Sequence, residues 1–194
     1  MTPTSTVAVL LAAGAGSRYR DVGHKLLARL PAAASAPAEA VYARALRRAR
    51  AAGIGPVVVV TGAVDLDLPS DVVERRNPRW SAGQMTSVRA GIAAARELGA
   101  GSVVIGLADQ PGVTSTAWRR VAGATAAIAV ATYEGVRGNP VRLDGTVWDL
   151  LPDAGDEGAR ALMRLRPDLV GEVPCTGSPA DIDTVEDLQR WQSN

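Results

Sequence analysis

The segment VLLAAGAGSRYRDVGHKLLARL, residues 9–30, joins an apolar run to a glycine-rich turn and to the rarest basic residues of the chain. Lys25 is the one lysine among 21 basic residues, and the adjacent His24 is the one histidine. The apolar run at residues 7–12 predicts a buried strand, which Gly14 and Gly16 follow directly. Because ligands of open α/β sheets bind at the carboxyl ends of strands, this segment predicts a binding turn.

The rest of the chain alternates between strand-like and helix-like patterns. Apolar runs predict strands, at residues 7–12, 56–62, 102–111 and 126–133. Helical periodicity predicts helices between them, at residues 37–52, 85–98 and 116–124. This alternation indicates βαβ units and a mostly parallel sheet. The second half is less regular, with a short strand or hairpin arm at 137–143 and helices at 157–165 and 184–192.

Composition indicates a protein with a large aliphatic core and no strongly charged surface. Hydrophobic residues make up 47% of the 194 residues, aromatic residues 4%, and Phe is absent, so we expect one domain over residues 1–194. A formal net charge of +1 favours neither nucleic acid nor a membrane as partner. A single cysteine, with no signal peptide or membrane-spanning run, predicts a cytoplasmic protein. Arginines of the first predicted helix are interpreted as its solvated face: Arg44, Arg47 and Arg48.

The glycine-rich turn by itself is weak evidence for a ligand. It lacks the Gly-Lys-Ser/Thr of a P-loop, and Tyr19 stands where a dinucleotide fingerprint would have its third glycine. Arg18 and Lys25 add a forked donor and a compact point charge, which together favour a phosphate site. His24 is interpreted as a loop residue, and the Ala- and Pro-rich residues 31–38 as a flexible loop.

Three aspartates are candidates for a metal site. Asp109 follows an apolar strand and precedes Pro111, where either a Mg²⁺ ligand or an ordinary turn residue is expected. Asp181 and Asp183 alternate in DIDT, so both would point to the same side of an extended segment. Thr184 and Asp187 also predict a capping box, and the two interpretations are compatible.

Six motifs, in order, resemble those of the MobA-like nucleotidyltransferases, among which the chain is most similar to the molybdenum cofactor cytidylyltransferases. The motifs are LLAAGAGSR with Lys25, NPRWSAGQMTSVRAGI, LADQP, RGNPV, GDEGARAL and DIDTVEDL. The chain departs from the family in a longer spacing between Arg18 and Lys25, and in PAAASAPA where the family has Gly-Pro.

The resemblance implies a three-layer α/β/α fold of Rossmann-like topology and a set of site residues. It implies catalytic roles for Arg18, Lys25 and Asp109, acceptor-binding roles for Asn139 and Asp156, and Mg²⁺ bound by Asp109, Asp181 and Asp183. The implied nucleotide-binding residues lie in the glycine-rich turn and before the second long helix: Leu11, Ala12, Ala13, Gly14, Ala15, Gly16, Gly83, Gln84, Thr86 and Ser87. That helix start would offer unpaired N–H groups and two hydroxyls to base and ribose.

The implied reaction is transfer of CMP from CTP to the phosphate of molybdopterin, since LAAG and DQP resemble the forms found in CTP users. A molybdenum hydroxylase would be the client of the product. Two alternatives remain open at this point. One is an NAD(P)H-dependent oxidoreductase on the same scaffold, similar to nicotine blue oxidoreductase, which would not need the three aspartates. The other is a non-catalytic carrier of the molybdenum cofactor.

Overall fold

The computed structural model describes residues 5–16, 23–30 and 38–193. The strands in these ranges are β1 (Thr6–Ala12), β2 (Arg29–Leu30), β3 (Glu39–Ala40), β4 (Val57–Thr61), β5 (Val73–Arg76), β6 (Ser102–Leu107), β7 (Ile128–Tyr133), β8 (Val136–Asp144) and β9 (Val170–Pro174). The α-helices are α1 (Val41–Ala51), α2 (Gln84–Glu97), α3 (Ser115–Ala122), α4 (Ala159–Leu165) and α5 (Val185–Ser193). No helix among the described residues has the length and apolar character needed to cross a membrane.

Seven strands form one sheet in the order β5-β4-β1-β6-β8-β7-β9, while β2 and β3 form a separate antiparallel pair. Strand β1 runs parallel to β4 and β6, β4 runs parallel to β5, and β7 runs parallel to β9. Strand β8 is antiparallel to both of its neighbours. The predicted mostly parallel α/β sheet is therefore confirmed, with one reversed strand.

Helices cover both faces of the sheet, because its central strands are apolar on both sides. Alternate residues of β1, starting at Val7, pack in one core cluster with Met85, Val88 and Ile92 of α2 and with Leu162 of α4. The intervening residues of β1, starting at Ala8, pack in a second cluster with residues of α1 and α3. This arrangement confirms the three-layer fold.

Two strands of the seven-stranded sheet are not predicted by the sequence, because they lie at its edges. β5 has the sequence VERR and only one residue, Arg75, that is even partly buried, so it lacks an apolar run. β9 has no fully buried residue, so it too lacks the signal of a buried strand. The short strand predicted at 137–143 is the nine-residue β8, which forms a hairpin with β7 and inserts between β7 and β6.

The interpretation of the α1 arginines as a solvated face is wrong for Arg44. Its side chain is buried, and its Nε donates to Glu39 Oε1 at 2.9 Å. Arg47 Nη2 donates to the same oxygen at 2.7 Å. The helix begins at Val41, and Glu39 lies in β3. A carboxylate that precedes the helix therefore forms ion pairs with two of its arginines.

Close packing of α3 on β6 depends on Gly106. A Cβ placed there would lie 2.4 Å from Cζ2 of the buried Trp118. We expect Gly106→Ala to lower the free energy of unfolding by about 1–3 kcal/mol, measured by urea denaturation. Gly123→Ala is the control, since its Cβ would meet nothing nearer than 3.5 Å. Equal stabilities of the two variants would contradict this account of the packing.

Candidate active site

A cavity of about 330 Å³ opens at the carboxyl ends of β1 and β6. The N–H of Ala108 donates to the carbonyl of Leu11 at 3.0 Å, so the turns that follow the two strands lie side by side. The cavity wall combines the glycine-rich turn, residues 11–15, with Lys25 and Asp109. The site thus lies at the sheet edge where open α/β proteins bind ligands.

Lys25 joins two carboxylates that are far apart in the sequence. Its Nζ donates to Asp109 Oδ2 at 2.5 Å and to Asp183 Oδ1 at 2.6 Å. The side chain of Lys25 is only 13% exposed, compared with 18% for Asp109 and 33% for Asp183. The fold therefore brings three of the predicted residues to one point.

The electrostatics of this triad keep the lysine charged. Burial alone would lower the pKa of Lys25, but the Asp109 and Asp183 carboxylates outweigh that effect and raise it. The second oxygen of Asp109, Oδ1, is buried and has no hydrogen-bond partner among the residues that the structure describes. A buried carboxylate oxygen without a partner is costly, so this atom is available to a cation or a donor group.

Asp181 lies beside this triad and lines a different cavity. Its Oδ1 accepts a hydrogen bond from Gln110 Nε2 at 2.8 Å. Loss of hydration, and then the negative charge of Asp109, raise the pKa of the Asp181 carboxyl. Within the described ranges, no group of three or more His, Cys, Asp and Glu side chains could hold a metal ion.

The capping box predicted for the last helix is confirmed. The Asp187 carboxylate accepts hydrogen bonds from the N–H of Thr184 at 2.9 Å, and Thr184 Oγ1 accepts from the N–H of Asp187 at 3.2 Å. The N–H of Asp183 also donates to Asp187, at 3.1 Å. The side chain of Asp183 thus contacts Lys25, while its backbone N–H is held by the Asp187 carboxylate of the capping box.

The His24 side chain, interpreted from the sequence as a loop residue, forms hydrogen bonds with two backbone groups. Its Nδ1 accepts from the N–H of Leu26 at 3.3 Å, so the ring proton lies on Nε2, which donates to the Gly14 carbonyl at 3.0 Å. Burial, opposed by that carbonyl and aided by the charge of Lys25, lowers the pKa of His24. A neutral imidazole therefore connects the Lys25 segment to the glycine-rich turn, close to Gly16 at φ +59°.

The start of α2 forms another wall of the cavity through Gly83, Gln84 and Ser87. The expectation of unpaired N–H groups there is wrong for Met85, whose N–H donates to the Gly155 carbonyl at 2.9 Å. The loop before α4 packs against this helix start, which the sequence pattern does not reveal. Gly83 has φ +109°, and a Cβ there would lie 2.7 Å from the Gly155 oxygen.

The two hydroxyls of α2 are held by Asn77, a residue that the sequence analysis missed. Asn77 Nδ2 donates to Thr86 Oγ1 and to Ser87 Oγ, both at 2.9 Å. Thr86 is buried and is not among the cavity-lining residues, while Ser87 is. The only sequence signal for Asn77 was its place at the start of the NPRW motif.

A larger cavity of about 670 Å³ adjoins the first and shares with it Leu11, Gln84 and Leu107. Asn139, a predicted acceptor residue, lines it, as does the buried Gln110. Asp156, the other predicted acceptor residue, instead lines the smaller cavity. Its Oδ1 would lie 2.8 Å from a Cβ on Gly83. Arg18 lies outside the described residues.

The chain matches one protein-family model and is similar to two characterised proteins. Residues 8–171 match the family described as MobA-like NTP transferase domain. Nicotine blue oxidoreductase of Paenarthrobacter nicotinovorans is 32% identical in a 203-residue alignment that covers 94% of each chain. Purine catabolism protein PucB of Bacillus subtilis (strain 168) is 36% identical in a 110-residue alignment that covers 54% of each chain.

Solved structures agree with this family. Rv0371c of Mycobacterium tuberculosis H37Rv superimposes with a TM-score of 0.78 at 26% identity, with 100% of both chains covered. A manganese complex of that protein gives a TM-score of 0.70 at 27% identity, with 98% of this chain and 99% of that chain covered. A nucleotidyl transferase from Methanothermobacter, Mth528, gives a TM-score of 0.77 at 25% identity, covering 97% and 96%.

Proposed function

Because the chain belongs to the family of MobA-like NTP transferase domains, we propose that it is a Mg²⁺-dependent nucleotidyltransferase that transfers CMP from CTP to the phosphate of molybdopterin. One observation carries the proposal: Lys25, Asp109 and Asp183 meet beside the glycine-rich turn, at the carboxyl ends of β1 and β6. The LAAG and DQP sequences support CTP as the donor.

The proposed step is a phosphoryl-centred displacement. An oxygen of the acceptor phosphate attacks the α-phosphorus of CTP, and the bond from that phosphorus to the bridging oxygen of the β-phosphate breaks. Pyrophosphate leaves with the electron pair of the broken bond. A phosphate monoester has its second pKa at about 6, so the attacking group needs no general base. This fits a site whose one histidine, His24, is neutral and hydrogen-bonded to backbone atoms.

The residues present fit a divalent cation. Asp109 and Asp183 both reach a single ammonium group, so both can face one cation, and Asp109 Oδ1 has no hydrogen-bond partner in the described part of the chain. Two carboxylates completed by phosphate oxygens are a common Mg²⁺ arrangement. Asp109 and Asp183 would hold the ion, with Asp181 at the margin of the site. When bound, Mg²⁺ supplies charge neutralisation at the phosphates.

Lys25 and the glycine-rich turn would bind the triphosphate. The Lys25 side chain is largely shielded from solvent and charged, and the turn lets ligand atoms approach the backbone closely. His24 holds the Gly14 carbonyl and thereby keeps the turn next to Lys25. Gln84 and Ser87 of α2 line the same cavity and would contact the base and ribose, and Arg18 would add a second cation.

One specific finding favours a second candidate, an NAD(P)H-dependent oxidoreductase. Nicotine blue oxidoreductase is similar to this chain over 94% of its length. Hydride transfer needs no pair of carboxylates arranged around a cation, which is the feature that Asp109 and Asp183 provide. The geometry therefore favours the transferase.

A thermal-shift panel separates the two candidates. The purified protein would be melted with CTP, GTP, ATP, UTP or NADPH, each with and without Mg²⁺. We expect CTP with Mg²⁺ to stabilise most, by about 2.7 kcal/mol at 100 times its dissociation constant. Greater stabilisation by GTP than by CTP would contradict the proposed base preference but would remain compatible with a nucleotidyltransferase. Metal-independent stabilisation by NADPH alone would favour the oxidoreductase.

A further inference from the structure

The side-chain amide of Gln110 connects three walls of the larger cavity. Gln110 is only 5% exposed. Its Nε2 donates to the Pro179 carbonyl and to Asp181 Oδ1, both at 2.8 Å. Its Oε1 accepts from Asn139 Nδ2 at 3.1 Å. These partners lie 29 to 71 residues away in the sequence, so one amide joins its own segment to two others, one at Asn139 and one at residues 179–181.

The chemistry of the partners determines how both amides are oriented. A proline carbonyl can only accept, so the nitrogen of Gln110 must face Pro179, whatever the protonation state of Asp181. The oxygen of Gln110 then faces Asn139 and can only accept. Asn139 must therefore turn its nitrogen toward Gln110 and its Oδ1 away from it.

The Asn139 backbone is held as well, since its carbonyl accepts from the hydroxyl of Tyr133 at 2.8 Å. Asn139 lines the cavity, and its side chain forms one hydrogen bond within the described part of the chain, the one to Gln110. Its Oδ1 is thus a hydrogen-bond acceptor in a fixed orientation at the cavity wall.

We infer that Gln110 is a positioning residue that fixes Asn139 Oδ1 as an acceptor for the ligand of the larger cavity. The ligand group that meets Asn139 is then a donor, an N–H or an O–H. This inference rests on the proposed function, because it takes the larger cavity as the site of the acceptor substrate. It adds a requirement on that substrate: a donor group within reach of Asn139, separate from the phosphate that reacts.

The kinetic test uses Gln110→Met, which keeps length and burial but removes every hydrogen bond of the amide. Initial rates of pyrophosphate release are measured with CTP and molybdopterin. We expect KM for molybdopterin to rise about tenfold, the effect of losing one hydrogen bond, while KM for CTP stays within about twofold. If Gln110 were needed only for folding, Gln110→Met would reduce the fraction of protein that is active. The apparent kcat would then fall, and both KM values would stay unchanged. Ser102→Ala is the matched control, because it removes a buried side-chain hydrogen bond, the one with Thr6 Oγ1, outside both cavities and should leave both KM values unchanged.

A double-mutant cycle shows whether Gln110 acts through Asn139. Asn139→Leu removes the acceptor itself and should raise KM for molybdopterin at least as much as Gln110→Met. If Gln110 acts only by orienting Asn139, the double variant should have the KM of Asn139→Leu alone. The inference would be overturned if the KM for molybdopterin in the double variant rose by the product of the increases in the two single variants.

A second readout does not depend on the identity of the acceptor. In nitrogen-15 NMR spectra, the side-chain amide protons of Asn139 should exchange slowly in the wild type. In Gln110→Met they should shift and exchange faster, while Asn77 stays unchanged as the internal reference. An unchanged Asn139 amide would overturn the inference. Absence of turnover with molybdopterin in the wild type would instead contradict the proposed function and leave this readout valid.

Discussion

Asp109→Asn is expected to lower the turnover number for pyrophosphate release by at least about 100-fold, because losing a metal-binding carboxylate costs several kcal/mol of transition-state stabilisation. The substitution keeps the shape of the side chain and removes its charge. Asp109 Oδ1 has no partner within residues 5–16, 23–30 and 38–193, so its proposed role is toward the metal. The loss should therefore appear at saturating CTP and over a range of Mg²⁺ concentrations.

The fold should survive this change. Asp109 lies after the end of β6, and Lys25 keeps its contact with Asp183 in the variant. Breaking a buried ion pair is costly when it leaves the remaining charge without a counter-charge, but Asp183 still pairs with Lys25 in this variant. Urea denaturation should show a change within about 1 kcal/mol.

The control is Asp153→Asn, whose carboxylate is exposed and pairs with Arg89 at 3.2 Å outside both cavities. It should behave as the wild type in both measurements. Full turnover by Asp109→Asn would remove Asp109 from the site and weaken the proposed mechanism.

Lys25→Ala and Lys25→Arg should each lower turnover by roughly 10- to 100-fold, the range expected for losing a charge-assisted hydrogen bond to phosphate. Arginine keeps the charge, but its planar fork is larger than the ammonium that fits between Asp109 and Asp183. The loss should appear in kcat, because negative charge on the leaving pyrophosphate grows in the transition state.

A binding measurement gives a second readout for the same variants. In the wild type, the ammonium of Lys25 contacts the two carboxylates that would hold the metal. Lys25→Ala removes this competing cation, so Mn²⁺ should bind more tightly in the absence of nucleotide, as measured by titration calorimetry. His24→Ala, which removes a neutral neighbour, should affect both quantities less. If Lys25→Arg matches the wild type in turnover, Lys25 supplies only a positive charge.

The sequence predicted the centre of the fold better than its edges. Strands β1, β4, β6 and β7 are apolar on both faces, so their runs of Val, Ile, Leu and Ala are visible without any structure. The edge strands β5 and β9 bury little side-chain surface, and their residues resemble those of loops. The place of β8 between β6 and β7 depends on strand pairing, which no local pattern records.

The same division applies to the site. By itself the sequence determined the α/β class, the glycine-rich turn after β1 and an aspartate after β6, because burial periodicity and turn chemistry act between near neighbours. Only the tertiary structure decided that Lys25 meets Asp183, 158 residues away, and that Gln110 orients Asn139. Hydrogen bonds and ion pairs act over about 3 Å, so their partners are fixed only when packing has brought distant segments together.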